Sequence, residues 1–361
     1  MPPGNRPRTP LAAFAAALLT LLGACSTPNP PAMPPAPPPT IAAPADAGPQ
    51  GQVVGRSERL LVYVPRAGDT LADIAVRHLG SAERAWQIAE ANGDVWQPVP
   101  GQPLVVPLAW PRTLGVGSDG VQAVPILCYH RFGGPPTRMN ITAARFEAQM
   151  QWLATHQYQV VRLSDFAQFL AGRRALPRRS VVITIDDGYE SVYRQAFPVL
   201  RKYGFPATLF VYSDFVGSRD GLSWQQMEEM QRSGLIDVQA HSKSHRNLVD
   251  RLSSENESAY RQRIDMELRQ PRTLIEKNLG AAGARVTQYA YPYGDANEAV
   301  LNAMRRDGSW ALGLTVDPGG NPFYAAPLLL RRTMVYGDQD LDEFRARVQL
   351  RAPARQGAVE P

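Results

Sequence analysis

After residue 120 the chain alternates between short β-branched apolar runs and stretches whose apolar residues recur at helical spacing. The strand-like runs are 124–129, 180–186, 207–212, 235–241, 286–291 and 311–316. The helical stretches between them are 143–155, 164–171, 191–203, 224–232, 255–278 and 297–307. Such alternation predicts an α/β domain over 121–350, a parallel sheet covered by helices. A smaller pattern precedes it. Leu60–Val64 reads as a strand, and Leu71, Ile74, Ala75 and Leu79 share one face of a helix that Gly68-Asp69-Thr70 would cap. Trp86, Ile88 and Ala89 mark a second helix, Asn92-Gly93 stops it, and Leu104–Pro107 closes the unit. Residues 58–110 are therefore predicted to form a βααβ module. The Arg/Ala/Pro-rich C-terminus from Arg345 onward, and 351–361 above all, reads as a flexible tail.

Residues 1–24 read as a targeting segment: Arg6 and Arg8 precede an apolar run, 11–22, too short to span a bilayer. Leu22-Gly23-Ala24-Cys25 resembles a bacterial lipobox, which implies a lipidated Cys25; an ordinary secretory signal with a chance cysteine is the alternative. Ser26, rather than Asp, after the cysteine implies by analogy the outer membrane, facing the periplasm. Residues 25–57 are Pro- and Ala-rich and read as an extended spacer.

Cys25 and Cys128 are the only cysteines, so an acylated Cys25 leaves no intramolecular disulfide. The formal charge of +5 becomes +3 once Arg6 and Arg8 are removed with the signal. No basic run is interleaved with aromatics, and nucleic acid is excluded as a partner.

Chemistry concentrates in two clusters, each at the end of a strand-like run. Thr184-Ile185-Asp186-Asp187-Gly188 follows 181–183, and His241-Ser242-Lys243-Ser244-His245 follows 235–240. Asp-Asp-Gly alone is common in turns, and a lone histidine is more often structural. Here two of five histidines stand four apart, with paired carboxylates elsewhere at a strand end. One carboxylate and two imidazoles can hold a divalent cation with open positions, leaving a second carboxylate as a base. That is an outline of metal-assisted hydrolysis.

With Pro292-Tyr293-Gly294 following in order, the motifs resemble those of the polysaccharide deacetylase (NodB homology, carbohydrate esterase family 4) group over about residues 121–350. The resemblance implies an incomplete (β/α) barrel with its site at the strand C-terminal ends. It implies metal ligation by Asp187, His241 and His245, with Asp186 as general base and the Tyr293 N–H as oxyanion donor. Zinc is the default ion, with cobalt or nickel as alternatives.

The motif departs from the family pattern at Ala290, where an arginine usually orients the catalytic aspartate; Arg332 is the candidate replacement. No histidine follows His245, so the family's late acid is missing. Tyr129-His130 instead resembles the early segment of poly-N-acetylglucosamine deacetylases, which implies His130 as the acid, against a plain structural histidine. Tyr291 and Pro292 are the expected substrate contacts, with Tyr189, Trp224 and Trp310 as further aromatic candidates.

Residues 63–107 resemble a LysM module, which implies binding of N-acetylglucosamine-containing polymers. The groove would lie between Gly68, Asp69 and Thr70 and the loop after Asn92; capping of the first helix is the bland role for Asp69 and Thr70. Together these readings predict a lipid-anchored envelope N-deacetylase acting on peptidoglycan or a poly-N-acetylglucosamine exopolysaccharide. An O-acetyl ester such as acetylated xylan is a third substrate. A wall-binding lipoprotein with an inactive deacetylase-like domain is the alternative class.

Overall fold

The computed structural model describes residues 51–110, 115–117, 120–348 and 351–353. The targeting segment, Cys25 and most of the spacer lie outside the described residues.

Residues 50–361 form one compact unit. In its first part, Gln52–Arg56, Leu60–Val64 and Leu104–Pro107 make a three-stranded antiparallel sheet, covered by the helices Leu71–Leu79 and Ala85–Ala91. Thr70 caps the first helix through Asp73 N–H, and Gly80 ends it in a left-handed turn. Leu61, Tyr63, Ile74, Ala75, Ile88 and Val106 fill the core between sheet and helices. The spacer thus ends earlier than expected. Residues 52–56 form an edge strand, whose mostly exposed side chains carry no apolar alternation to betray it.

In the larger part, parallel strands run in the order Leu312–Leu314, Gln288–Ala290, Ile236–Ala240, Ala207–Val211, Ser180–Ile185 and Val124–Tyr129. Ser180–Ile185 and Val124–Tyr129 are buried along their whole length, as β-branched runs covered on both faces must be. The sheet curls until its ends approach. Leu330 bridges Leu314 at one end, and Thr333–Met334 pair in parallel with Leu127 and Cys128 at the other. The segment 330–334 therefore spans the gap of an otherwise incomplete barrel.

Helix starts follow local chemistry: Thr142, Asn256 and Asn297 cap helices Ala143–Thr155, Glu257–Leu279 and Glu298–Asp307, and Ser223 forms a capping box with Gln226. The expected helix at 191–203 is split. Pro198 offers no N–H to the preceding turn, and Val192–Ala196 widen into a π turn before Phe197–Tyr203. The expected C-terminal tail is also corrected. Leu341–Val348 is helical, with Phe344 and Val348 buried, and Arg351–Pro353 pair with Gly120–Gln122. Buried apolar side chains there outweigh the Arg/Ala/Pro composition.

Candidate active site

Every chemical motif follows the C-terminal end of a parallel strand, so parallel pairing alone brings them together. His130 follows Val124–Tyr129, Asp186 and Asp187 follow Ser180–Ile185, His241 follows Ile236–Ala240, and Tyr291–Gly294 follow Gln288–Ala290.

Asp187, His241 and His245 converge with ligand atoms within 4.8 Å of one another. Asp187 Oδ1 lies 3.2 Å from His245 Nε2 and 3.5 Å from His241 Nε2. His241 Nδ1 is 2.7 Å from the Ala290 carbonyl, so it carries the proton and donates, and Nε2 presents its lone pair to the carboxylates. Asp187 Oδ1 is buried with no hydrogen-bond partner. Acceptor facing acceptor in a buried pocket is unfavourable unless a cation or proton sits between them. These residues fit a divalent cation by donor chemistry and by that orphaned oxygen. Burial would raise the Asp187 carboxyl, but the two imidazoles outweigh it and hold it well below the usual carboxylate range. Burial disfavours charge on His241, yet Asp186 and Asp187 pull its proton affinity up.

Asp186 faces the same space from the other side, with Oδ2 3.9 Å from His241 Nε2. Its Oδ1 accepts from Arg332 Nη1 at 2.7 Å, and Arg332 Nε donates to the Thr315 carbonyl at 2.8 Å. Arg332 is fully buried and enters from the segment that bridges the barrel ends. Burial would raise Asp186, and the Arg332 charge overrides it, so Asp186 stays ionised. Ala290, where the resemblance expected an arginine, contributes its carbonyl instead, and the guanidinium reaches the aspartate from another strand. The Cys128 thiol lies 3.5 Å from Asp186 Oδ2, and His130 shares this corner with both. Burial depresses the basicity of His130, while the two aspartates oppose the effect.

Among the described residues, six non-glycine residues have positive φ, and Asp187, Ser242, His245 and Tyr293 are four of them. Strain of this kind persists only where surrounding contacts over-determine the backbone. Gly188 serves the same turn at φ +86, where a Cβ would lie 2.8 Å from Val211 Cγ1. Glu267 shows how the histidine turn is held. This buried carboxylate on Glu257–Leu279 accepts from Lys243 N–H and Ser244 N–H, each at 2.9 Å, and from the Ser244 hydroxyl at 2.6 Å. Sequence reasoning missed it. Its signal was an acid on the apolar stripe of Ile264, Leu268 and Ile275.

The aromatic expectations divide. Tyr293 is 62% exposed, with its ring 5.0 Å from His245, and is free to meet a ligand. Tyr291 is not: it is fully buried and its hydroxyl donates to the Leu328 carbonyl, so the expected substrate contact is a core residue. Pro292 is likewise buried in the turn, and Trp310 is core. Tyr189 stands at the rim under the Arg131 guanidinium, while Trp224 packs partly against the core. Tyr212, whose ring lies 5.0 Å from His245 and stacks on Phe215, was missed because nothing in its run distinguishes it from a strand end.

In the smaller module, Asp69 accepts from Tyr63 OH and Arg66 N–H, and Thr70 both caps its helix and donates to Asp73. Asn92 clamps helix to sheet, donating to the carbonyls of Ile88 and Val105 and accepting from Val105 N–H. Asp69, Thr70 and Asn92 thus carry the structural role expected of a helix cap and clamp, and Thr70 stays exposed beside Gly68. Gly68, at φ +92, shapes the same loop.

Residues 173–311 match the polysaccharide deacetylase family. That stretch is similar to a polysaccharide deacetylase domain. YxkH of Bacillus subtilis, a proposed polysaccharide deacetylase, is 30% identical over 54% of this chain and 65% of its own length. A poly-beta-1,6-N-acetyl-D-glucosamine N-deacetylase of Staphylococcus aureus is 28% identical over 53% of this chain and 68% of its own. The chain thus spans about two thirds of the length of the curated relatives it matches. The structure of IcaB from Ammonifex degensii superposes on the deacetylase domain with a TM-score of 0.56 at 29% identity, covering 64% of this chain and 99% of that one. The mixed α/β fold with its curled sheet is the deacetylase fold, and polysaccharide N-deacetylation is the activity that these relatives support.

Proposed function

We propose that this protein is a metal-dependent N-deacetylase of poly-N-acetylglucosamine-like glycan. The observation that carries the reading is the pairing of Asp187, His241 and His245, with their orphaned buried oxygen, beside an Asp186 held ionised by Arg332. Asp187, His241 and His245 would hold a divalent cation, zinc by default. Such an ion, when bound, supplies Lewis-acid activation of water and of the acetamide carbonyl.

The chain's own groups do the rest. Asp186 takes the proton of the attacking water, and Arg332 keeps that carboxylate charged and aimed. The Tyr293 N–H, presented by a left-handed turn, donates to the developing oxyanion. His130 gives a proton to the departing amine; its place beside Asp186 and the lack of any histidine after His245 favour it over a structural role. Tyr293 and Tyr212 offer faces for a sugar ring. Acetate and a glucosamine unit leave.

The β-1,6-linked polymer is favoured by the similarity to the poly-beta-1,6-N-acetyl-D-glucosamine N-deacetylase of Staphylococcus aureus. Peptidoglycan remains a second reading because of the LysM-like module, with lipid anchoring through Cys25 at the outer membrane as part of the same picture. Parallel assays of acetate release from the two polymers separate them. Release from poly-N-acetylglucosamine alone supports the proposal, and release from peptidoglycan alone replaces it. Tight wall binding with no release from either would favour the inactive tether.

A further inference from the structure

The parallel strands place the catalytic residues at one end of the barrel, and the smaller module meets the other end. Arg178 and Arg179 immediately precede Ser180–Ile185. Arg178 N–H donates to Glu90 of the module at 2.6 Å, and Arg179 reaches Asp94 at 3.9 Å while donating to the His156 carbonyl. Arg174 reaches Glu83 at 3.5 Å. Beside these links lies a cleft of about 500 Å³ between module and barrel base.

Its walls have a distinct chemistry. Trp96 and Gln97 come from the loop after the module's second helix. Gln157 and Gln159 follow Ala143–Thr155, and Tyr203 and Phe205 precede Ala207–Val211. Tyr203 and Phe205 stack with centroids 5.7 Å apart. None of the lining residues carries a charge. Aromatic rings with primary amides suit a sugar, which offers C–H groups to rings and hydroxyl and acetamide groups to amides. Absence of carboxylates disfavours the cationic product of deacetylation. Gln157, with positive φ at the end of Ala143–Thr155, turns the chain into the cleft wall, while Asp94 lies outside the lining in the contact to Arg179.

We propose that the cleft is a non-catalytic saccharide site, which takes uncharged N-acetylated glucosamine oligomers in preference to their deacetylated products. It rests on the reading of the substrate as a GlcNAc-containing glycan. Six-residue strands put it about 20 Å from the catalytic cluster. The site would hold unreacted polymer to the enzyme while another stretch or chain is processed at the far end.

Hydrogen exchange on full-length Asp186→Asn protein, with a β-1,6-linked N-acetylglucosamine hexamer as probe, tests this. The expected result is protection at residues 94–99, 154–160 and 203–206, with the glucosamine hexamer weaker by about tenfold, or about 1.4 kcal/mol. Ala154→Trp, at an exposed helical position on the cleft rim, should abolish that protection and leave protection near Asp186 and His241 intact. Protection confined to the catalytic end, or unchanged in Ala154→Trp, overturns the proposal. Acetate release by the wild type from the same hexamer scores the deacetylase reading separately. Release without protection at the base sinks the cleft alone. Protection at the base without release keeps the cleft and sinks the deacetylase reading for this polymer.

Discussion

Arg332 Nη1 lies 2.7 Å from Asp186 Oδ1, and both side chains are closed to solvent. The pair joins the segment bridging the barrel ends to the strand that bears the carboxylate, so one contact serves both fold and base. Removing one partner leaves a buried charge alone. Arg332→Met should lower unfolding free energy by about 3–5 kcal/mol. Arg332→Lys keeps the charge but loses the planar fork that also holds the Thr315 carbonyl. It should cost kcat by about tenfold or more with little change in KM. Denaturant melts and steady-state kinetics check the two claims, and a KM-only effect would reassign Arg332 to substrate binding.

His130 matters only if the leaving group needs a proton. His130→Gln should slow acetamide cleavage by about 10²–10⁴-fold while sparing an aryl acetate, whose phenolate leaves without help. Equal losses on both substrates would give the role to another group.

Proton and cation compete for the imidazoles. Asp186 and Asp187 raise the proton affinity of His241, so a bound cation must displace that proton. Zinc affinity, measured by competition with a chelating dye, should rise with pH by up to about tenfold per unit while one proton is displaced, then level off. His241→Ala and Asp187→Asn should abolish tight binding. A pH-independent affinity would contradict the ligand assignment.

Glu90, at the contact between module and barrel, is held up to about 7 by burial, against an ordinary 4.5, although the Arg178 N–H opposes the shift. The folded state binds this proton more tightly than the unfolded state does. Stability should therefore fall as pH rises from 4.5 towards 7 and level off above, with no contribution below 4.5. Glu90→Gln still accepts from Arg178 N–H. Its Tm should exceed that of the wild type near pH 8 and equal it near pH 4, as scanning calorimetry would read. Equal melting temperatures at both pH values would refute the burial argument.

Parallel strands and the metal cluster were legible because both are written locally. Val181-Val182-Ile183 can only be a buried strand, and Asp186-Asp187 and His241-x-x-x-His245 lie at strand ends that parallel pairing must juxtapose. The Arg332 contact was guessable from the missing motif arginine but not derivable, since it depends on how the barrel closes. Glu267 escaped because one buried acid on a long helix has no neighbour in sequence to explain it. Tyr291 misled for the opposite reason: it stands inside the motif, yet strand alternation turns its ring to the core. Asn92 was likewise placed by motif but committed to the fold by its hydrogen bonds.

Acetate release from poly-β-1,6-N-acetylglucosamine by the full-length chain, with zinc and after chelation, and with Asp186→Asn beside the wild type, tests the central claim most directly. Release should require the metal and fall by about 10²–10⁴-fold in the variant. Release that survives both chelation and the substitution would contradict the account.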